Sequence, residues 1–152
     1  MAFGIATVVL GGLLLAAAWI DLRVRRIPDP LTAATVLTGM AASTVLGADL
    51  LAAAIGVVAG YGVFFLFNEA FRRVRGYDGI GMGDAKLLAG LGAWLGWAGL
   101  PLVVLGAASC ALIFVLTKRR GRLDGAEMVP FGPFLAIAGF AVWLLREVRV
   151  AL

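Results

Sequence analysis

Residues 2–21 read AFGIATVVLGGLLLAAAWID, nineteen uncharged residues that end at an aspartate. A hydrophobic run of roughly 18 residues or more is typical of a helix that crosses a bilayer. The run has no basic residue at its start and continues into an arginine cluster, which favours a retained span over a cleaved signal peptide. Residues 50–68 form a second such run. The pattern predicts an integral membrane protein.

The composition supports the same fold class. Apolar residues make up 62% of the chain and charged residues 14%, against about 45–50% and about 25% in soluble domains. We expect an all-α polytopic membrane protein in which residues 1–152 form a single domain of about six transmembrane helices. The predicted helices lie near 3–21, 31–47, 50–70, 84–97, 100–117 and 133–148. In the second, Asp29 is predicted as the N-cap and Pro30 as the first helical residue.

The basic residues indicate an orientation. Three predicted connections, at 22–30, 71–83 and 118–132, contain Arg23, Arg25, Arg26, Arg72, Arg73, Arg75, Lys118, Arg119, Arg120 and Arg122. The opposite connections, near 48–49 and 98–99, contain no Lys or Arg, and only Arg146 and Arg149 fall on that side. The positive-inside rule therefore predicts cytoplasmic arginine-rich loops and non-cytoplasmic termini. Anionic lipid headgroups account for the net charge of +4, so no nucleic-acid partner is expected.

Several classes of active site are excluded by composition. The chain has no histidine, which rules out Ser-His and Cys-His nucleophile systems and an HExxH zinc site. Cys110 is the only cysteine, so no disulfide can form within the chain and no metal site is expected.

Two aspartates are the candidate catalytic residues. Asp21 ends the first predicted helix and Asp84 begins the fourth, so the two helices between them return the chain to the same membrane face. Acidic residues at membrane depth usually serve a function, and neighbouring carboxylates can share one proton, one acting as base and the other as acid. Simpler interpretations remain: Asp21 could pair with Arg25, and Asp84 could cap its helix.

The surrounding residues resemble those of a known family. Residues 19–22 (WIDL) and 27–32 (IPDPLT) resemble the first catalytic motif of the type IV prepilin peptidases. Residues 81–88 (GMGDAKLL) and 92–96 (GAWLG) resemble the second, with the GxGD signature shared with preflagellin peptidases and, more distantly, presenilin-like proteases. Residues 129–136 (VPFGPFLA) resemble the motif before the last helix.

The resemblance implies that Asp21 and Asp84 are the catalytic aspartates. Gly81 and Gly83 would shape the loop that carries the second one, and glycine permits the close approach of an extended substrate. Asp78 lies where relatives often have a glutamate. It either supports the site or is an ordinary turn residue.

Further residues are implied less directly. Lys86 would contact substrate or lipid, and we favour an ammonium group at the headgroups. Pro130, Phe131, Gly132 and Pro133 would either line the substrate groove or break the chain before the last helix.

The function implied is that of an intramembrane aspartyl endopeptidase of the bacterial inner membrane, with its active site facing the cytoplasm. It would remove the leader peptide of a prepilin or pseudopilin without a cofactor. The chain starts close to the first motif and has no paired cysteines, so it resembles the short, peptidase-only forms, and we expect no N-methylation. The alternatives are a small proton- or ion-coupled transporter and a non-catalytic pilus assembly factor.

Overall fold

The computed structural model describes residues 1–76, 81–118 and 130–151. In these ranges the chain is all-α, without a strand, as predicted from its composition. A 3₁₀ turn, Trp97–Gly99, precedes the fifth helix. The six α-helices are α1 (Ala2–Val24), α2 (Asp29–Val45), α3 (Leu50–Arg75), α4 (Met82–Leu95), α5 (Leu100–Lys118) and α6 (Gly132–Ala151).

The helices fall into two length classes. Three stretches are long and apolar enough to cross a membrane, namely Ala2–Val24, Leu50–Val74 and Trp97–Thr117. Between them lie α2, with 17 residues, and α4, with 14. Long and short helices therefore alternate from α1 to α5, and the apolar part of α6 extends from Gly132 to Arg146.

The short helix α4 lies at the centre of the bundle. It packs against α2, α3 and α6, and its residues from Asp84 to Leu95 are almost all buried. Its closest neighbour is α3, where Gly56 and Gly60 lie against the backbone of Gly92 and Leu88. Small residues one helical turn apart let two helix backbones approach closely, as at many helix contacts in membranes.

Neighbouring side chains satisfy the carbonyl groups at the end of α4. The Ser43 hydroxyl of α2 donates to the Ala93 carbonyl at 3.1 Å, and Arg146 of α6 donates to the Trp94 carbonyl at 3.3 Å. The last carbonyls of a helix lack partners within the helix. The indole of Trp94 also donates to the Thr35 carbonyl at 2.9 Å. Hydrogen bonds from α2 and α6 thus allow α4 to end inside the bundle.

Helix α6 runs antiparallel to α1 along its length. The indole of Trp143 donates to the Thr7 hydroxyl at 3.0 Å and stacks on Phe3, with 5.2 Å between ring centroids. About one turn nearer the start of α6, Phe140 lies against Gly11. These contacts bring the first residues of α6 beside the last turns of α1.

The predicted cap of α2 is wrong by one residue. Pro28 is the N-cap, and Asp29 is already the first helical residue, with Pro30 second. No side chain caps the helix start, and the hydroxyl of Thr32 donates to the Asp29 carbonyl at 2.9 Å. The carboxylate of Asp29 does not cap the helix because it pairs with a side chain of α4.

Candidate active site

Asp21 belongs to the buried face of α1. The buried residues of this helix are spaced three or four apart and therefore share one face; they are Ala6, Leu10, Leu14, Ala17 and Asp21. Only 6% of Asp21 is exposed. The helical periodicity that buries the leucines thus also directs this carboxylate into the bundle, and α1 continues one turn beyond it, to Val24.

The carboxylate of Asp21 accepts a hydrogen bond from the first residue of α6. The donor is the backbone N–H of Gly132, at 3.1 Å from Oδ2. The backbone carbonyl of Asp21 accepts from the N–H of Arg25, which ends α1 in a left-handed conformation with φ 53°. Within the described part of the chain the Asp21 side chain forms no ion pair. The simpler interpretation of Asp21, as an ion-pair partner of Arg25, therefore does not hold in the structure.

Asp84 is the third residue of α4 and is 9% exposed. The N-cap is Gly81, whose carbonyl accepts the Asp84 N–H at 3.0 Å. No side chain makes a cap hydrogen bond at this helix start, so Asp84 does not act as a cap. Gly83, the residue before Asp84, packs against Ile27 in the connection that follows Asp21. The structure thus places the two predicted aspartates at the same end of the bundle.

Gly81 and Gly83 lie at the start of α4, on either side of Met82 and next to Asp84. A Cβ at Gly81 would lie 3.3 Å from Oδ2 of Asp84. A Cβ at Gly83 would lie 3.3 Å from both the backbone nitrogen and the Cβ of Ile27. Ile27, in the connection between α1 and α2, is buried. The glycine at 83 therefore lets the start of α4 pack against the connection that follows Asp21.

Lys86 forms an ion pair with Asp29 at 2.5 Å. The pair joins the first two turns of α4 to the start of α2, across 57 residues of sequence. Both side chains are partly exposed, Asp29 by 74% and Lys86 by 34%, so the pair lies at the surface. From the sequence, Lys86 is predicted to contact substrate or lipid and Asp29 to cap α2. The available signal for their pairing was that this acid and this base lie in the motifs at residues 27–32 and 81–88.

The last motif contributes both to the helix start and to the site. Gly132 contacts Asp21, and the ring of Phe131 lies tilted against Phe64 of α3, with 6.3 Å between centroids. Pro130 and Pro133 are half-buried on either side. Asp78, predicted as a supporting residue, lies outside the described residues.

The two buried aspartates of the site differ in their hydrogen bonds. Asp21 has a backbone donor, whereas the carboxylate of Asp84 makes no hydrogen bond with another described residue. No cluster of three or more metal-ligating side chains accompanies them in the described ranges. Paired carboxylates of this kind can exchange a proton with a water molecule held between them.

Comparison with known proteins gives a consistent result. The model of the type IV leader peptidase family matches residues 8–116. A prepilin leader peptidase/N-methyltransferase of Burkholderia pseudomallei is 46% identical over 131 residues, which cover 84% of this chain and 42% of that protein. The leader peptidase HopD of Escherichia coli is 42% identical over 119 residues, covering 76% of this chain and 77% of HopD.

A prepilin leader peptidase/N-methyltransferase of Aeromonas salmonicida is 39% identical over 145 residues, covering 92% of this chain and 49% of that protein. The chain thus spans less than half the length of the bifunctional relatives it matches. No solved structure matches the chain.

Proposed function

This chain belongs to the type IV leader peptidase family, and we propose that it is a membrane-embedded aspartyl endopeptidase that removes the leader peptide of type IV prepilins or pseudopilins. The observation that carries the proposal is that Asp21 and Asp84, 63 positions apart, are both buried at the same end of the bundle. The names of the relatives support a prepilin as the substrate class.

The proposed mechanism uses the two carboxyl groups and one water. The ionised aspartate removes a proton from the water, whose oxygen bonds to the scissile carbonyl carbon, while the protonated aspartate gives its proton to the carbonyl oxygen. When the tetrahedral intermediate breaks down, the C–N bond breaks, the leaving amine takes the proton from the first aspartate, and one hydroxyl of the intermediate gives its proton to the second aspartate. The pair therefore holds one proton again at the end of each cycle, and the reaction needs no cofactor.

The site is proposed to face the cytoplasm of a bacterium, at the inner membrane. Arg23, Arg25 and Arg26 lie just beyond Asp21, at the same end of the bundle as both aspartates. Short loops rich in Lys and Arg remain on the cytoplasmic side. A basic leader would stay in the cytoplasm while the apolar segment of the prepilin enters the bilayer as a helix, so that cleavage falls at the membrane surface.

The test is cleavage of a purified prepilin by the protein in lipid nanodiscs. Asp21→Asn and Asp84→Asn keep the side-chain size and remove the titrating acid. Each is expected to lower kcat at least about 100-fold, since general acid–base catalysis contributes that much or more.

Asp49→Asn is the matched control. Asp49 caps α3 by accepting from the Leu51 N–H at 2.9 Å, and asparagine is an equally good N-cap. This variant should cleave as the wild type does. Normal cleavage by a correctly folded Asp21→Asn or Asp84→Asn variant, judged by an unchanged thermal melt, would disprove the proposed catalytic role.

A further inference from the structure

Gly132 is the residue at which the start of α6 meets the acid of α1. Its N–H donates to Oδ2 of Asp21 at 3.1 Å across 111 residues of sequence, and the bond is buried. The first N–H groups of a helix have no partner within the helix, and they form the positive end of its dipole. The donor that contacts Asp21 is therefore supplied by the geometry of a helix start and needs no side chain.

The missing side chain of Gly132 is what allows this contact. A Cβ at this position would lie 2.7 Å from Oδ2 of Asp21, 3.0 Å from its Cγ and 3.2 Å from its Cβ. All three nearest atoms belong to Asp21. Gly132 has the backbone of an ordinary helix start, which alanine adopts as readily. Glycine is thus required here for space beside the carboxylate and not for backbone conformation.

Helix α6 cannot easily move away to make that space. The contacts of Trp143 with Thr7 and of Phe140 with Gly11 attach it to α1 at two further points, about one turn apart. At its start, the ring of Phe131 packs against α3. A side chain at position 132 would therefore displace the carboxylate of Asp21 and not the helix.

We propose that Gly132 is a positioning residue for Asp21: its N–H holds the carboxylate in one orientation toward Asp84, and its lack of a side chain leaves the room for that orientation. This inference rests on the proposed function, because it assigns a role within the same pair of acids. It gives the motif at residues 129–136 a role at the site through one group, the backbone N–H of Gly132.

The kinetic test compares Gly132→Ala with Gly106→Ala in prepilin cleavage. Gly132→Ala is expected to lower kcat by about 10- to 100-fold, the usual cost of misplacing a catalytic group by about 1 Å, and to change KM less than about twofold, since a group that acts in the transition state affects kcat. Gly106→Ala makes the same substitution on α5, where the added Cβ would lie 3.3 Å from that of Ala138 on α6 and away from both aspartates, and it should leave both constants unchanged. A wild-type kcat for Gly132→Ala would overturn the proposal.

A thermal double-mutant cycle tests the contact without relying on activity. The four proteins are wild type, Gly132→Ala, Asp21→Ala and the double variant. Gly132→Ala is expected to lower Tm by about 3–6 °C in the wild-type background, and by less than half as much with Asp21→Ala, because the two nearest atoms are then gone. An equal fall in both backgrounds contradicts the proposal.

The two tests also separate this inference from the proposed function. Cleavage that survives Asp21→Asn and Asp84→Asn would end the protease assignment of the acids, while the thermal cycle would still report whether Gly132 acts on Asp21. Should Gly132→Ala fail to fold, the double variant with Asp21→Ala is expected to fold. Failure of both proteins to fold would contradict the proposed cause.

Discussion

Adding one methyl group at Gly56 is expected to separate the two central helices of the bundle. A Cβ at this position would lie 2.8 Å from the carbonyl carbon of Gly92 and 2.9 Å from that of Gly96, and closer still to the Gly92 oxygen. These are backbone atoms, so no side chain can rotate to make room. Ordinary contacts begin near 3.4 Å, and α3 and α4 would have to move apart by about 1 Å.

The cost of Gly56→Ala follows from that displacement. A gap of about 0.5–1 Å loses a quarter to a half of the dispersion energy between facing atoms, and overfilling a packed contact costs about 1–3 kcal/mol. We expect about 3 kcal/mol, because the opposing surface is backbone. For a chain of this size, about 3 kcal/mol corresponds to a fall in Tm of about 6–12 °C. Cleavage should fall as well, since α4 carries Asp84.

The measurement is a thermal melt in lipid nanodiscs followed by tryptophan fluorescence. Trp94 is well placed as a reporter because it lies on α4, two residues from Gly92, and is 2% exposed. Gly62→Ala is the matched control, since it lies on α3 with no atom within 4 Å of its added Cβ. It should leave Tm unchanged or slightly higher. A Gly56→Ala protein that melts within about 1 °C of the wild type would refute the packing argument.

Two further changes test the contacts that fix α4. Lys86→Glu is expected to lower cleavage and to reduce the free energy of unfolding by at most about 1 kcal/mol, because the ion pair with Asp29 is partly exposed. Adding Asp29→Lys exchanges the two charges and should restore both cleavage and Tm. A double variant no more active or stable than Lys86→Glu alone would argue against the pair. Arg146→Met keeps most of the side-chain length but removes the donor to the Trp94 carbonyl. Tm should therefore fall by an amount equivalent to about 1 kcal/mol. An unchanged Tm would mean that water replaces the guanidinium at no cost.

Much of the architecture could be predicted from the length of the hydrophobic runs in the sequence. Uninterrupted apolar runs mark α1, α3 and α5 because a helix that faces lipid must be apolar along its whole span. Helix ends were harder to predict. α1 continues past Asp21 to Val24, whereas the uncharged run stops at Asp21, and α4 ends at Leu95, before Gly96, which has a φ of 71°.

The contacts within the site could not be predicted in the same way. The motifs identify Asp21, Asp84 and Gly132 as candidates, but no spacing rule joins two residues 111 positions apart. The ion pair of Lys86 with Asp29 depends on the relative rotation of α2 and α4, which many apolar contacts decide together. The sequence motifs therefore predict which residues form the candidate site. Their contacts with each other depend on how helices distant in sequence pack, and these contacts are seen only in the structure.

The alternation of long and short helices bears on how the protein is assembled in the membrane. An insertion machinery that tests segments by hydrophobicity would accept α1, α3 and residues 97–117 individually, whereas α4 has 14 residues and carries both Asp84 and Lys86. We expect α4 to enter as the second arm of a hairpin with α3, held by the close backbone contacts at Gly56 and Gly60. Asp84 would then lie near Asp21 before α6 has been inserted. Asp21 would receive its hydrogen bond from the Gly132 N–H only when α6 packs against α1. We therefore expect a chain without α6 to contain both aspartates but to be inactive as a protease.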